Sequence, residues 1–281
     1  MRVTESLLAT FLLLLPVTQC KAADEAAGLG ILKRFTEEFV AITPGNGFPA
    51  RGIVLGTADP KQELPKITVE FRHSFRMSRY EVTQELYELV MGENPSRWKG
   101  PRNSVEMMTL AEAQKFCAKL TVLLRQKDLL AADHNVRLPT ESEWEFCCRA
   151  GTRTRYSFGD SATSDDDEGK QASLLDPYAW HTGNAAGNDP PVGALKPNPW
   201  GLYDMHGYLS EFVTHDPILS RVLDVEQEQD RVILRSGSWK DHYSRLTSSA
   251  RTLVPAATKD DAVGFRCVIA AVSSAKEKPG R

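Results

Sequence analysis

The chain has 281 residues and a formal net charge of −3, and charged residues make up 25% of it with both signs interspersed. No basic block occurs, so the electrostatic footprint of a nucleic-acid-binding protein is missing and we expect no nucleic-acid partner. The length allows one large domain or two small ones. A chain of this size can bury a sizeable core, so its stability does not require disulfide bonds between its five cysteines.

Residues 1–22 have the layout of a secretory signal peptide. Arg2 precedes an apolar run, Leu7–Val17, and small residues follow around Ala22. The run is shorter than the roughly 20 apolar residues that a membrane-spanning helix needs. A buried N-terminal helix is the alternative interpretation. We therefore expect cleavage within Lys21–Ala26, no transmembrane segment in the mature chain, and a secreted or periplasmic protein.

Three helices have clear start signals. The first begins at Thr83 and stops near Gly92. The other two begin with capping boxes over residues 109–112 and 140–143, where a threonine is followed three residues later by a glutamate. Gly151 is placed to end the last of these helices.

The rest of the chain consists of short segments bounded by glycine, proline and asparagine. Beyond residue 150 there is almost no helical periodicity but there are many turn residues. The acidic run over residues 164–170 predicts a solvated loop, since it lacks the alternating spacing of an EF-hand. The sequence thus predicts one loop-rich α+β domain over residues 33–272, followed by a disordered tail over residues 273–281.

Two adjacent cysteines, Cys147 and Cys148, lie on the predicted helix that starts at Glu141. Trp144 precedes them by three and four residues, so the three side chains share one helix face. A disulfide between neighbours is excluded, because adjacent Cα atoms are about 3.8 Å apart and disulfides need roughly 4.4–6.8 Å. No zinc-ligand spacing is present nearby. Each thiol therefore packs or contacts a distant partner.

Several long stretches resemble the formylglycine-generating enzyme (sulfatase-modifying factor) family. They are "RLPTESEWEFCCRAG", "NPWGLYDMHGYLSEFV", "LRSGSW" and "VGFRC", while "FRMSRYEVTQELYELVMGENPSRW" and "AQKFCAKL" match the N-terminal half of the family. The resemblance runs from about Phe39 to Val268. It implies the formylglycine-generating-enzyme fold, which is related to the C-type lectin fold and is loop-rich with few short helices.

The resemblance also implies where the family's chemistry would lie. Its oxidases convert a sulfatase cysteine to formylglycine through two cysteines that hold copper(I), a soft metal that suits thiolates. In "GSWKDHYSRLTSSAR" those two positions fall at Asp241 and at or near Leu246, and no cysteine occurs between Cys148 and Cys267. Neither a carboxylate nor an aliphatic chain completes a bis-thiolate site. We therefore expect no copper and no oxidase activity of the family type.

Further family features are implied at other positions. Family members often pair cysteines at the places of Cys117 and Cys267, which predicts a disulfide in a secreted chain. Asn184 matches one calcium position, and Glu211 remains at a second, where Tyr208 replaces an asparagine. A structural hydrogen bond or ion pair at Glu211 is the alternative, so calcium stays open as a cofactor.

Other catalytic patterns are missing, and two functional hypotheses remain. There is no HExxH, G-x-S-x-G or phosphate-binding glycine loop. A triad from Ser238, Asp241 and His242 is disfavoured, because neighbours in sequence seldom have triad geometry. The first hypothesis is a non-catalytic domain that binds a peptide, a protein or a glycan in the groove of the former active site. The second is a formylglycine-generating oxidase with a cysteine-poor mechanism. The expected groove residues are Ser238, Trp239, Asp241, His242, Tyr243 and Arg251.

Overall fold

The computed structural model describes most of the chain. The described residues are 17–54, 67–187, 189–216, 219 and 230–272. Residues 1–16 of the expected signal peptide and the expected tail over residues 273–281 lie outside them.

Four α-helices occur in the described residues: α1 (Val17–Glu37), α2 (Gln84–Met91), α3 (Leu110–Gln126) and α4 (Glu141–Arg149). The three helices predicted from start signals correspond to α2, α3 and α4. Both capping boxes form, since Thr109 and Thr140 accept the N–H of Glu112 and Glu143 at 3.2 Å.

The helix ends differ slightly from expectation. Gly92 ends α2 in the left-handed region with φ 82°, as its lack of a Cβ allows. Helix α4 ends one residue earlier than predicted, because Ala150 adopts the left-handed conformation with φ 47° ahead of Gly151.

The strands are short and form two four-stranded sheets and a two-stranded ribbon. In chain order they are β1 (Phe39–Ile42), β2 (Arg51–Val54), β3 (Ile67–Glu70), β4 (Phe75–Ser78), β5 (His134–Arg137), β6 (Ser210–Phe212), β7 (Arg231–Arg235), β8 (Arg251–Pro255), β9 (Val263–Gly264) and β10 (Val268–Ala271). The first sheet has the antiparallel order β1-β4-β10-β5. The second has the order β8-β7-β6-β9, in which only β6 and β9 are parallel. Strands β2 and β3 form the ribbon.

Two hydrophobic clusters connect these layers. One joins α1, α2 and α3 through residues such as Leu32, Leu86 and Phe116. The other contains Trp144 of α4, Met77 of the first sheet and Ile233 of the second, so α4 packs against both four-stranded sheets. Burial of this kind stabilises by about 25 cal/mol per Å² of apolar surface.

The architecture mixes helices with mainly antiparallel sheets and long irregular connections, which confirms the predicted α+β class. The relation to the C-type lectin fold stays a prediction. Among the described helices, none has both the length and the apolar character that crossing a membrane requires.

Candidate functional site

The helix that carries the two adjacent cysteines is fixed by buried ion pairs. Arg235 donates to Glu141 at 3.0 Å and to Glu145 at 2.5 Å, and its side chain is fully buried. Arg251 donates to Glu141 at 2.7 Å. The guanidinium of Arg251 is thus turned to a buried carboxylate, and its predicted role in a ligand groove stays a prediction.

A second buried ion pair occupies the position of a predicted calcium ligand. Both oxygens of Glu211 accept from the guanidinium of Arg266 at 2.8–3.0 Å, and Trp144 donates its indole N–H to the same carboxylate at 3.0 Å. Glu211 is fully buried. Its geometry matches the alternative interpretation, a structural ion pair, because both oxygens of this buried carboxylate accept hydrogen bonds from protein donors.

The other predicted calcium ligand, Asn184, closes a turn. Its side-chain oxygen accepts the backbone N–H of His181 at 2.9 Å, and its amide donates to the carbonyl of Ala179 at 2.9 Å. The described residues contain no cluster of three or more acidic, histidine or cysteine side chains arranged for a metal.

The adjacent cysteines are packed and unreactive. Cys147 and Cys148 are fully buried, as their shared helix face with Trp144 predicts. Burial raises the pKa of Cys148 to about 12 and lowers that of the neighbouring His206 to about 4, so a thiolate–imidazolium pair is strongly disfavoured. The sulfur of Cys148 lies 3.8 Å from Nδ1 of His206 and donates to the carbonyl of Met205 at 3.4 Å.

The fold brings Cys117 and Cys267 together, and the disulfide between them stays a prediction. Their sulfur atoms are 4.0 Å apart, roughly twice the length of an S–S bond, and both thiols are buried. Burial raises the pKa of Cys267 well above its ordinary value. The two side chains therefore contact each other in the hydrophobic core.

Asp241, at the first position implied for a catalytic cysteine, closes a tight turn. Its carboxylate accepts hydrogen bonds from the backbone N–H of Ser238 at 2.9 Å and from the hydroxyl of Ser238 at 2.8 Å. The carbonyl of Asp241 accepts the N–H of Thr182 at 3.0 Å, which ties this turn to the segment that follows Trp180. Asp241 and Ser238 therefore support the groove rather than line it.

Leu246, at the second implied position, belongs to the core. It is fully buried beside Tyr156. Its methyl groups lie so close to Gly207 and Gly237 that a Cβ at either glycine would be 2.9 Å from them. Tyr243 packs partly against the same cluster, and His242 stacks on Tyr243 with ring centroids 4.0 Å apart. Neither residue is in the lining of the groove described below, and their role in ligand binding stays a prediction.

The residues at these two positions do not fit the copper that the family implies. Copper(I) prefers soft thiolate ligands. The carboxylate of Asp241 is already hydrogen-bonded to Ser238, and Leu246 has no ligand atom. No catalytic step through copper can be derived for this chain.

A groove of about 560 Å³ opens beside the Ser238–Asp241 turn. Its aromatic wall consists of Trp98, Trp180, Tyr208 and Trp239. Trp239 is held by a hydrogen bond from its indole to the carbonyl of Asp261 at 3.2 Å. Of the six predicted groove residues, Trp239 is in the lining of this cavity, and the ligand-binding role of all six stays a prediction.

Charged residues of both signs line the same groove. They are Glu106, Lys170, Asp189, Lys240 and Asp261. Burial raises the pKa of Glu106 and of Asp189. Burial favours a higher pKa for Asp261, but the hydrogen bond and charge of Lys240, together with hydrogen bonds from Arg97 and Asp260, outweigh it and lower the pKa. The groove lining thus combines acidic groups with an ion pair between Lys240 and Asp261.

Three buried oxygens in the groove lining have no hydrogen-bond partner among the described residues. They are Oγ of Ser104, Oε2 of Glu106 and Oγ1 of Thr182. The other oxygen of Glu106 accepts the backbone N–H of Arg97 at 2.5 Å and of Trp98 at 3.1 Å. Glu106 therefore fixes the loop that carries Trp98, while its Oε2 atom remains an acceptor without a partner among the described residues.

Most groove residues had no signal in the sequence. Trp98, Glu106, Trp180 and Asp189 come from loops far apart in the chain. Trp98 ends one of the family-like stretches and is 47% exposed, which is unusual for a large aromatic residue. Its place in such a stretch was the one available indication.

Solved structures confirm the fold. PvdO from Pseudomonas aeruginosa superposes with a TM-score of 0.63 at 24% identity, covering 82% of this chain and 93% of that one. Treponema denticola variable protein 1 superposes with a TM-score of 0.62 at 23% identity, covering 82% and 94%. At such identities the likeness concerns the fold alone.

Curated relatives match about half of the chain. A chaperone protein, LppX, from Paenibacillus barcinonensis is 28% identical over 171 residues, 49% of this chain and 61% of its own. The formylglycine-generating enzyme of Mycobacterium tuberculosis is 30% identical over 165 residues, 49% and 52%. The inactive C-alpha-formylglycine-generating enzyme 2 of Bos taurus is 30% identical over 153 residues, 51% and 46%.

The chain thus spans about half to three-fifths of the length of these relatives. The family model of the sulfatase-modifying factor enzyme 1-like domain matches residues 32–271. Because that match covers most of the sequence, the protein belongs to the sulfatase-modifying factor enzyme 1-like domain family, as a member with no cysteine between Cys148 and Cys267.

Proposed function

We propose that the protein is exported and that its groove binds an extended segment of another protein without catalysing a reaction on it. The observation that carries this proposal is the groove itself, in which four aromatic side chains surround a 560 Å³ space beside the two positions where thiolates are missing. Aromatic side chains supply large contact area and often dominate binding energy.

The unpaired oxygens of Ser104, Glu106 and Thr182 support a polar, hydrogen-bonding ligand. An extended peptide offers a backbone donor and acceptor at almost every residue, so it can satisfy such groups along a groove. The names of two relatives agree with this role, since one is called a chaperone and another an inactive enzyme.

The buried state of the remaining cysteines argues against the oxidase hypothesis. Cys147 and Cys148 are enclosed in the core, and burial raises the pKa of each thiol. A nucleophilic or metal-binding cysteine needs thiolate character and access, and these two side chains have neither.

Selection from a random peptide library displayed on phage tests the proposal. We expect the selection to yield peptides that bind the wild type. Trp239→Ala should weaken their binding free energy by about 2 kcal/mol, which raises the dissociation constant roughly thirtyfold. Val122→Ala is the matched control, because Val122 is 54% exposed on α3 and does not line the groove.

Two outcomes contradict the proposal. If no selected peptide distinguishes the wild type from Trp239→Ala, the groove is not a peptide site. If a glycan array instead gives binding that depends on Trp239, the groove binds a ligand but the proposed ligand class is wrong.

A further inference from the structure

Glu81 is a buried carboxyl group that lies between β4 and α2. It is 2% exposed, and neither of its oxygens has a hydrogen-bond partner among the described residues. A buried carboxylate without hydrogen bonds is costly, whereas the neutral carboxylic acid loses far less on leaving water. The position therefore favours the protonated form.

The charged groups that face Glu81 from the core do not compensate a negative charge there. They are the carboxyl groups of Asp204 and Glu211 and the guanidinium of Arg266. Arg266 donates from Nε and Nη2 to Glu211, so its charge is already matched by that carboxylate. Its remaining donors go to backbone carbonyls, those of Ser78, Arg79 and Tyr203. Three carboxyl groups thus share one fully engaged cation.

The side of Glu81 that faces α1 and α2 also lacks an unmatched cation within the described residues. Arg34 and Arg102 line the same narrow crevice as Glu81. Both are paired with other carboxylates, Arg34 with Glu85 at 2.9 Å and Arg102 with Glu38 at 2.8 Å. On the groove side, the phenol of Tyr208 is uncharged, since burial raises its pKa.

We propose that the folded domain keeps Glu81 as a neutral carboxylic acid at neutral pH and releases this proton on unfolding, so that this group contributes stability that is lost as the pH rises. Burial raises the pKa of Glu81 well above its ordinary value and that of Asp204 to about 6. A pKa that is higher in the folded than in the unfolded state means that the folded protein binds more protons.

Glu81 and Asp204 stabilise the folded state at low pH, and this stabilisation decreases as the pH rises. The contributions of both groups are complete below their unfolded pKa values of about 4 and are lost as the pH rises towards the folded values. Asp204 loses its contribution by about pH 6, whereas Glu81 continues to lose its own at higher pH.

Urea unfolding at several pH values between about 6.5 and 8 tests the proposal. Over this range the unfolding constant of the wild type should rise more steeply with pH than that of Glu81→Gln, by up to tenfold per pH unit while the folded group stays protonated. Glutamine keeps the shape of the neutral acid but carries no proton to release. Glu88→Gln on α2 is the matched control, since Glu88 is exposed, and it should keep the steep wild-type dependence.

Infrared spectroscopy of the wild type gives a second readout that remains usable if Glu81→Gln does not fold. The folded protein at neutral pH should show the C=O stretching band of a protonated carboxyl group, and the band should disappear on unfolding. Equal pH slopes for the wild type and Glu81→Gln, or the absence of this band, would overturn the proposal.

Discussion

Leu246 stands at or near the second position that the family resemblance implies for a catalytic cysteine, and its side chain is fully buried. It lies in the core between Gly207 and Gly237, whose missing side chains leave room for its methyl groups. Asp241 likewise has a structural task, because it accepts both donors of Ser238. Both side chains thus have structural roles: Leu246 fills space in the core, and Asp241 closes a turn. These roles do not depend on a metal ion.

We predict that Leu246→Ala destabilises the domain by about 3 kcal/mol, since it leaves a cavity in a fully buried site. Leu246→Met keeps the volume and should cost less than about 1.5 kcal/mol. Urea denaturation of both variants measures the difference. A loss below about 1 kcal/mol for Leu246→Ala would show that the site tolerates a cavity, against the close packing around the two glycines.

The sequence predicts Trp239 as a groove residue but carries no local signal for most of the groove lining. The family resemblance implies that the former chemical centre lies at Asp241 and at or near Leu246, close to Trp239 in sequence. Tertiary packing sets the direction of these side chains. Tyr243 turns towards a hydrophobic cluster, and Arg251 turns towards Glu141. Trp98 and Trp180 reach the groove through long loops, whose course no local pattern encodes.

At the level of secondary-structure elements, short sequence motifs predict helix starts well, because a helix cap depends only on residues close together in the chain. The capping boxes of α3 and α4 depend on residues three apart, so the sequence predicted both starts correctly. The short strands were harder, because most have three to five residues and pair across distant parts of the chain. Strand β10, for example, pairs with β4 and β5 from the other end of the domain.

Helix α4 is the element whose cap has the largest expected effect, because α4 packs against both sheets. Thr140→Ala removes the acceptor for the Glu143 N–H and should cost about 1 kcal/mol. Thr140→Ser keeps the hydroxyl and should retain most of the wild-type stability. Thermal denaturation of the pair measures the cap, and equal losses in both variants would assign the effect to the methyl group instead.

At the scale of the whole molecule, α1 joins the N-terminal region to the core. Leu32 and Phe35 of α1 are buried in the cluster shared with α2 and α3. The signal-peptide hypothesis puts cleavage within Lys21–Ala26, which would remove only the first part of α1. Both buried residues would remain in the mature protein.

We therefore predict a mature N-terminus within Lys21–Ala26 and a folded product after export. Intact-mass measurement of the protein recovered from the medium or periplasm checks the position. A product that retains Met1 in the cytoplasm would contradict the prediction of export.

We propose that this family member does not carry out copper-dependent oxidation, because Asp241 and Leu246 cannot supply two thiolates. The test is incubation with a cysteine-containing sulfatase peptide, copper, reductant and dioxygen, followed by mass spectrometry of the peptide. We predict that the peptide keeps its cysteine, at the level of a control without protein. Formation of the formylglycine peptide above that control would show that the protein oxidises cysteine without the two thiolates.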